Sequence, residues 1–154
     1  MDETLNLHIR LTGEGGWPPF EFEEVEGRVV GDHECEILSP PSFAKRLAVG
    51  DIVRVAHHGA PETLWIDSLV EPSGRHSTVR VIFFRSAGQE SEHDLRRELG
   101  RLGARIYESN FQGLISVDIP PSADYEVIRA VLEEGESRKN WEFDEGKISE
   151  VHGS

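Results

Sequence analysis

Two segments of this chain, SEHDLRRELGRLG and DYEVIRAVLEEG, place apolar residues at helical spacing, and both lie in its second half. Leu95, Leu99 and Leu102 recur at i, i+4 and i+7 in the first, while Val127, Ile128, Val131 and Leu132 form the stripe of the second. A helix of this kind has to bury one face against another layer. Most of the remaining apolar residues alternate with polar ones, the period-two signature of strands whose two faces differ. The pattern confines the chain to a mixed α+β architecture with its helices on one side of the sequence midpoint.

Before residue 77 the strands follow one another directly. LNLHIRL sets Leu5, Leu7, Ile9 and Leu11 against Asn6, His8 and Arg10; FEFEEVEGRVV repeats the device with Phe20, Phe22 and Val25. ECEILSP reads as a third strand, DIVRVAHH as a fourth through Ile52, Val53 and Val55, and TLWIDSLV as a fifth through Leu64, Ile66 and Leu69. The connectors TGEGGWPP, EGRVVGD, SPPS, AVGD and HHGAPE are turn chemistry. Five short strands with little helix between them predict a small β-barrel-like module over residues 1–76.

From residue 77 the pattern changes. STVRVIFFR puts Val79, Val81 and Phe83 on one face and Ile82 on the other, as a central strand covered partly on both sides would. Ser91 with Asp94 resembles a capping box for the first helix, and Gly103 suits the left-handed position after its end. ARIYES is a strand, NFQG a turn, and LISVDIP a strand with Leu114, Ser116 and Asp118 opposite Ile115, Val117 and Ile119. Ser122 or Asp124 caps the second helix, and NWEFDEGKI closes with Trp141 and Phe143 on one face. The order over residues 77–148 is β-α-β-β-α-β, the ferredoxin-like order, and right-handed crossovers would place both helices on one face of a four-stranded sheet. Residues 149–154, SEVHGS, read as a flexible tail.

Charge narrows the function. The chain has 154 residues, 37% hydrophobic, enough to bury a core, and a formal net charge of −13. Residues 1–76 hold 14 acidic and 6 basic residues and residues 77–154 hold 15 and 10, so the acidity is spread along the molecule. Phosphate backbones are repelled by such a surface, and no run of Lys or Arg exceeds a pair, which excludes ordinary nucleic-acid binding. The sheet face that RNA-recognition motifs use for stacking would carry no aromatic from ISVDIP. No apolar run is long enough to span a membrane, and the acidic start is unlike a secretory leader, so a soluble cytoplasmic protein is expected. One cysteine, Cys35, forms no internal disulfide.

The densest collection of reactive side chains is EPSGRHSTVR, with Ser73, Arg75, His76, Ser77 and Arg80 around turn residues. His76 is the candidate acid or base. Adjacent strand residues point to opposite faces, so His76 and Ser77 do not form a dyad there, and no G-x-S-x-G elbow occurs. The segment reads first as a joint between two modules, with binding at the joint. In GDHECE, His33 and Cys35 share a strand face as two metal ligands would, with His57 and His58 as remote partners, yet no C-x-x-C or H-x-x-x-H completes a site and a core thiol is favoured. Glu34 and Glu36 also flank Cys35 and oppose a reactive thiolate. Trp17, before two prolines, and Trp141, beside Glu142, Asp144 and Glu145, are candidate recognition residues.

With WPP, SGRHSTVRV, GLISVDIPP and WEFDEG in view, the chain resembles, over nearly its whole length, a bacterial family of domains of unknown function, family 4265. The resembling positions are Trp17, Pro18 and Pro19; Gly50 and Asp51; Ser73, Gly74, His76, Ser77, Thr78, Arg80 and Val81; and Trp141, Glu142, Glu145 and Gly146. Arg75 stands between the glycine and the histidine, a departure from that pattern. The resemblance implies the architecture and no particular activity or cofactor. The expectation is a small acidic binding or regulatory protein, monomer or homodimer, that inhibits a basic partner protein or senses a small molecule without a cofactor. The alternative is an enzyme with its site at the junction around His76.

Overall fold

A computed structural model describes residues 4–12, 16–59 and 63–153. The expected turns over residues 13–15 and 60–62, and Ser154, lie outside the described residues. Five strands make the first sheet: β1 (Leu5–Arg10), β2 (Phe22–Gly31), β3 (Glu34–Ile37), β4 (Ile52–His57) and β5 (Leu64–Glu71). Sequential neighbours pair antiparallel, and β1 meets β5 in parallel through Leu7↔Leu64 and His8↔Trp65, which closes the sheet into a barrel. Leu7, Ile9, Val25, Cys35, Ile37, Val53 and Val55 fill its interior. Burying each larger aliphatic among them is worth on the order of 1.5–3 kcal/mol.

Two side chains expected inside face out. Phe22 is 44% exposed, because β2 turns Glu23, Val25 and Gly27 inward instead. Gly27 is required there, since a side chain would collide with Leu7 across the pair. Leu69 is also exposed; irregularities in the β4–β5 register shift the alternation along β5.

The second half runs β6 (Ser77–Phe83), a single 3-10 turn (Arg85–Ala87), α1 (Gly88–Arg101), β7 (Arg105–Glu108), β8 (Leu114–Ile119), α2 (Tyr125–Ser137) and β9 (Trp141–Lys147). Its four strands lie antiparallel in the order β7-β8-β6-β9. Val79, Val81, Ile115, Val117 and Ile119 form one core with Leu95 and Leu99 of α1 and Ile128 and Leu132 of α2. Trp141 joins this core and donates its indole N–H to Leu132 O at 3.0 Å. Val127, expected in the stripe of α2, is exposed; the buried positions of that helix are Tyr125, Ile128, Leu132 and Gly135.

Helix ends follow local chemistry, with one difference from expectation. Asp124 caps α2 by accepting from the backbone N–H groups of Glu126 and Val127. In contrast, α1 begins before the expected capping box: Gly88, at φ 79°, swings the chain out of the 3-10 turn and into the helix. Ser91 is then inside the first turn, and its hydroxyl donates back to the carbonyls of Ala87 and Gly88. Gly103 takes φ 93° just past the end of α1, as expected.

All six residues of β8 are buried, which a sheet covered on one face only would not produce. Helices cover Ile115, Val117 and Ile119, and the segment between β3 and β4 covers the other face, where Ser116 donates to Pro40 O at 3.1 Å. The closing residues, expected as a flexible tail, pack against β6. Ser149 N donates to Ser77 Oγ at 2.9 Å, and His152 Nδ1 lies 2.7 Å from the same hydroxyl. No helix among the described residues is long and apolar enough to cross a membrane.

Candidate functional site

The barrel rests on the sheet through a polar seam, and each contact in it traces to a residue whose side chain leaves its own core. Thr78, Arg80 and Ile82 on β6 alternate with core residues and face the barrel, opposite Asp118, Ser116 and Leu114 of β8. Arg80, only 7% exposed, donates through Nη1 to the carbonyl of Phe43 at 2.7 Å and through Nε and Nη2 to Asp144 Oδ1 at 3.0 and 2.7 Å. Asp51, fully buried, accepts from Ala48 N, Ser73 N and Lys147 Nζ. Such a carboxylate is tolerable inside because donors satisfy both oxygens and one of them carries a positive charge.

Glu23 performs the third anchoring. It points inward from β2 and accepts the backbone N–H groups of Ser42, Phe43 and Ala44 at 2.7, 2.8 and 2.6 Å. Glu23 from one side and Arg80 from the other therefore fix the backbone of the loop that carries Phe43. Phe43 meets Trp17 edge-on at 5.8 Å between ring centroids, and Trp17 in turn meets Phe111, in the turn between β7 and β8, at 4.9 Å.

Around this loop opens a cleft of about 900 Å³. Ile9, Leu11, Leu47, Ile82 and Leu114 supply its aliphatic floor and Trp17 and Phe43 its aromatic surface, while the Phe143 ring packs on the helix side of the sheet. The cleft's charged groups among the described residues are Arg10 and Lys45 from the barrel, Arg80 from β6, and Glu142 and Asp144 from β9. One wall thus comes from each half of the chain. The volume lies within the range of small-molecule sites, and a site between two packed units is a usual place for one.

The structure brings together some of the residues singled out in the sequence and separates others. Trp17 and Arg80 both line the cleft. Ser73 does not; its hydroxyl accepts from the N–H groups of Arg75 and His76 and shapes the turn. Gly50, at φ 92°, packs so closely on Ser73 that a side chain there would collide with it. Arg75 is exposed in that turn, and its carbonyl accepts from Ser149 Oγ. His76 Nδ1 bonds Asp118 Oδ1 at 2.9 Å on the barrel side, whereas Ser77 turns to the helix side, so the two do face apart. Burial raises the Asp118 carboxyl above its ordinary value, against the opposing pull of His76.

Trp141 is buried beneath α2, and Glu145 accepts from the Tyr125 hydroxyl; neither lines the cleft. His33 sits exposed at φ 58° in the β2–β3 turn while Cys35 is 1% exposed inside the barrel, so the two do not converge on one ion. Among the described residues no group of three or more His, Cys, Asp or Glu side chains is placed to hold a metal. Sequence reading missed Phe43, Lys45, Arg10 and Phe143 as lining residues. Phe43 and Lys45 occupy a connector without periodicity, and Arg10 and Phe143 read as ordinary strand residues.

The fold and cleft define a class: an α+β chain in which a closed five-stranded barrel and a two-helix, four-stranded sheet enclose a cleft along their seam. The chain belongs to the family described as Domain of unknown function (DUF4265), whose model matches residues 23–143. A crystal structure titled as that of a hypothetical protein from Neisseria gonorrhoeae is similar over 97% of this chain and 96% of that one, with a TM-score of 0.68 and 20% identity, which makes the fold a shared one. No curated protein matches the chain.

Proposed function

We propose that this chain is a small cytoplasmic binding or regulatory protein, built from a barrel and a ferredoxin-like module, whose ligand is a small molecule held in the cleft between them. The observation that carries this reading is the cleft itself: about 900 Å³, bounded by both halves, with Trp17 still 43% exposed at its edge. An indole held edge-on between Phe43 and Phe111, but open on its remaining surface, offers a preformed apolar contact to a guest. Glu23 and Arg80 hold the Phe43 loop by its backbone, so little ordering cost remains for binding.

The reading is tested with a metabolite library in a thermal-shift assay on the wild type and on Trp17→Ala. Compounds that stabilise the wild type and lose that effect in the variant support it; a library without any such compound counts against it.

A second reading, acid-base catalysis at the junction, draws on the His76–Asp118 pair at 2.9 Å, because a carboxylate on Nδ1 orients an imidazole for proton transfer. His76 packs against Gly50 and Ser73 and is not among the residues lining the cleft, which favours the binding reading. His76→Gln separates the two: it spares ligand binding in the cleft if binding is the function.

A further inference from the structure

We infer that the cleft selects a planar aromatic carboxylate, with the ring against Trp17 and Phe43 and the carboxylate at Arg10 and Lys45. The inference rests on the cleft being the ligand site and adds the chemistry of the guest. Charge is the first ground. The chain carries a formal −13, yet among the described residues the cleft is lined by three cations, Arg10, Lys45 and Arg80, against two carboxylates, Glu142 and Asp144. The cleft is thus an electropositive exception on an acidic molecule.

The second ground is how those charges are already used. Arg80 and Asp144 are committed to each other, and Arg80 also to the loop carbonyls, so the pair offers a guest no net charge. Many other arginines are matched locally: Arg28 with Glu36, Arg54 with Glu34, Arg96 with Glu92 and Glu108, Arg97 with Asp94, Arg101 with Glu98, Arg129 with Glu133 and Arg138 with Glu134. Arg10 instead lies over the face of Trp65, 4.9 Å from the ring centroid, and among the described residues neither Arg10 nor Lys45 forms an ion pair with a carboxylate. Stacking of Arg10 on an indole fixes the guanidinium plane while leaving its edge N–H donors for a carboxylate. Glu142, on the β9 side, repels an anion from that wall and so directs the carboxylate toward the barrel side.

The third ground is shape. Two aromatic rings, Trp17 and Phe43, and an aliphatic floor favour a flat apolar body over a hydrated sugar or a bare inorganic anion.

The test is isothermal titration of the full chain with 2-naphthoate, 2-naphthamide and 2-naphthylmethylamine, on the wild type, Trp17→Ala and Arg10→Gln/Lys45→Gln. Arg10 and Lys45 are exposed, and circular dichroism checks that the double variant keeps its fold. The expected result is that naphthoate binds at least roughly ten-fold more tightly than the amide, the scale of one charge-assisted hydrogen bond. In the double variant naphthoate falls to the amide's affinity, and in Trp17→Ala both weaken. If the amide binds as well as the acid, or the amine binds better, the carboxylate inference is overturned while the cleft remains the site. If Trp17→Ala changes neither, or no probe binds, the cleft reading falls with it.

Discussion

Asp51 and Lys147, 96 residues apart in sequence, meet at 2.8 Å where the barrel abuts β9. The carboxylate is fully buried, so removing the cation leaves a charge held by two backbone N–H groups alone. Losing one partner of a buried pair costs roughly 3–5 kcal/mol, and the partial solvent contact of Lys147 lowers that figure. Lys147→Met is expected to destabilise the chain by about 2 kcal/mol in urea denaturation; an unchanged midpoint would mean that the seam does not depend on this pair.

Gly135 faces the Trp141 indole so closely that a methyl group at this position would overlap the ring. An alanine elsewhere in a helix would add up to about 1 kcal/mol of stability. Here overpacking is the larger effect, typically ~1–3 kcal/mol, so Gly135→Ala should lower the melting temperature. A rise in melting temperature contradicts the packing of α2 on Trp141.

Burial raises the Asp118 carboxyl above its ordinary 3.8. A carboxyl that is a weaker acid when folded binds its proton more tightly in the native state, so its contribution to stability falls as pH climbs from 3.8 to the higher folded value. Subtracting the stability of Asp118→Asn from that of the wild type should therefore give a difference that declines across this acid window and is flat above it. A difference that grows with pH there would reverse the sign of the burial effect.

Much of this fold was legible because it is local. The two helices announce themselves by spacing, the alternation in LISVDIP correctly divides β8 into two faces, and the opposed directions of His76 and Ser77 follow from strand geometry. What escaped is long-range. FEFEEV suggests Phe22 inside, yet the barrel takes Glu23, whose carboxylate is matched by N–H groups 19 to 21 residues away. The connector SPPSFAKRLAVG has no period to read, and the group that fixes Phe43 from the sheet side, Arg80, stands 37 residues on. A cleft whose walls come from two halves of a chain leaves no continuous motif in either.

Cys35 lies in the barrel core, and burial raises its thiol above the ordinary value of 9.0. The thiolate is the reactive form, so the folded protein should react with a thiol reagent at a rate set by unfolding. Rapid stoichiometric labelling in native buffer is the contrary result.

Glu23 connects the barrel interior to the cleft by accepting from three consecutive N–H groups. Glu23→Gln removes the charge and turns one acceptor into a donor that faces N–H groups. The expected cost is about 2–3 kcal/mol in stability, with weaker ligand binding because the Phe43 wall is released. Stability loss with fully retained affinity would separate this carboxylate from the cleft.

Whether the seam between barrel and sheet holds the ligand is read most directly by an amide-detected NMR titration with a bound small molecule. The largest shifts are expected at Phe43, Ala44 and Lys45, at the indole of Trp17, and at Phe143 and Asp144. Shifts concentrated instead at Ser73, Gly74 and His76, or on the outer faces of α1 and α2, would contradict binding at the seam.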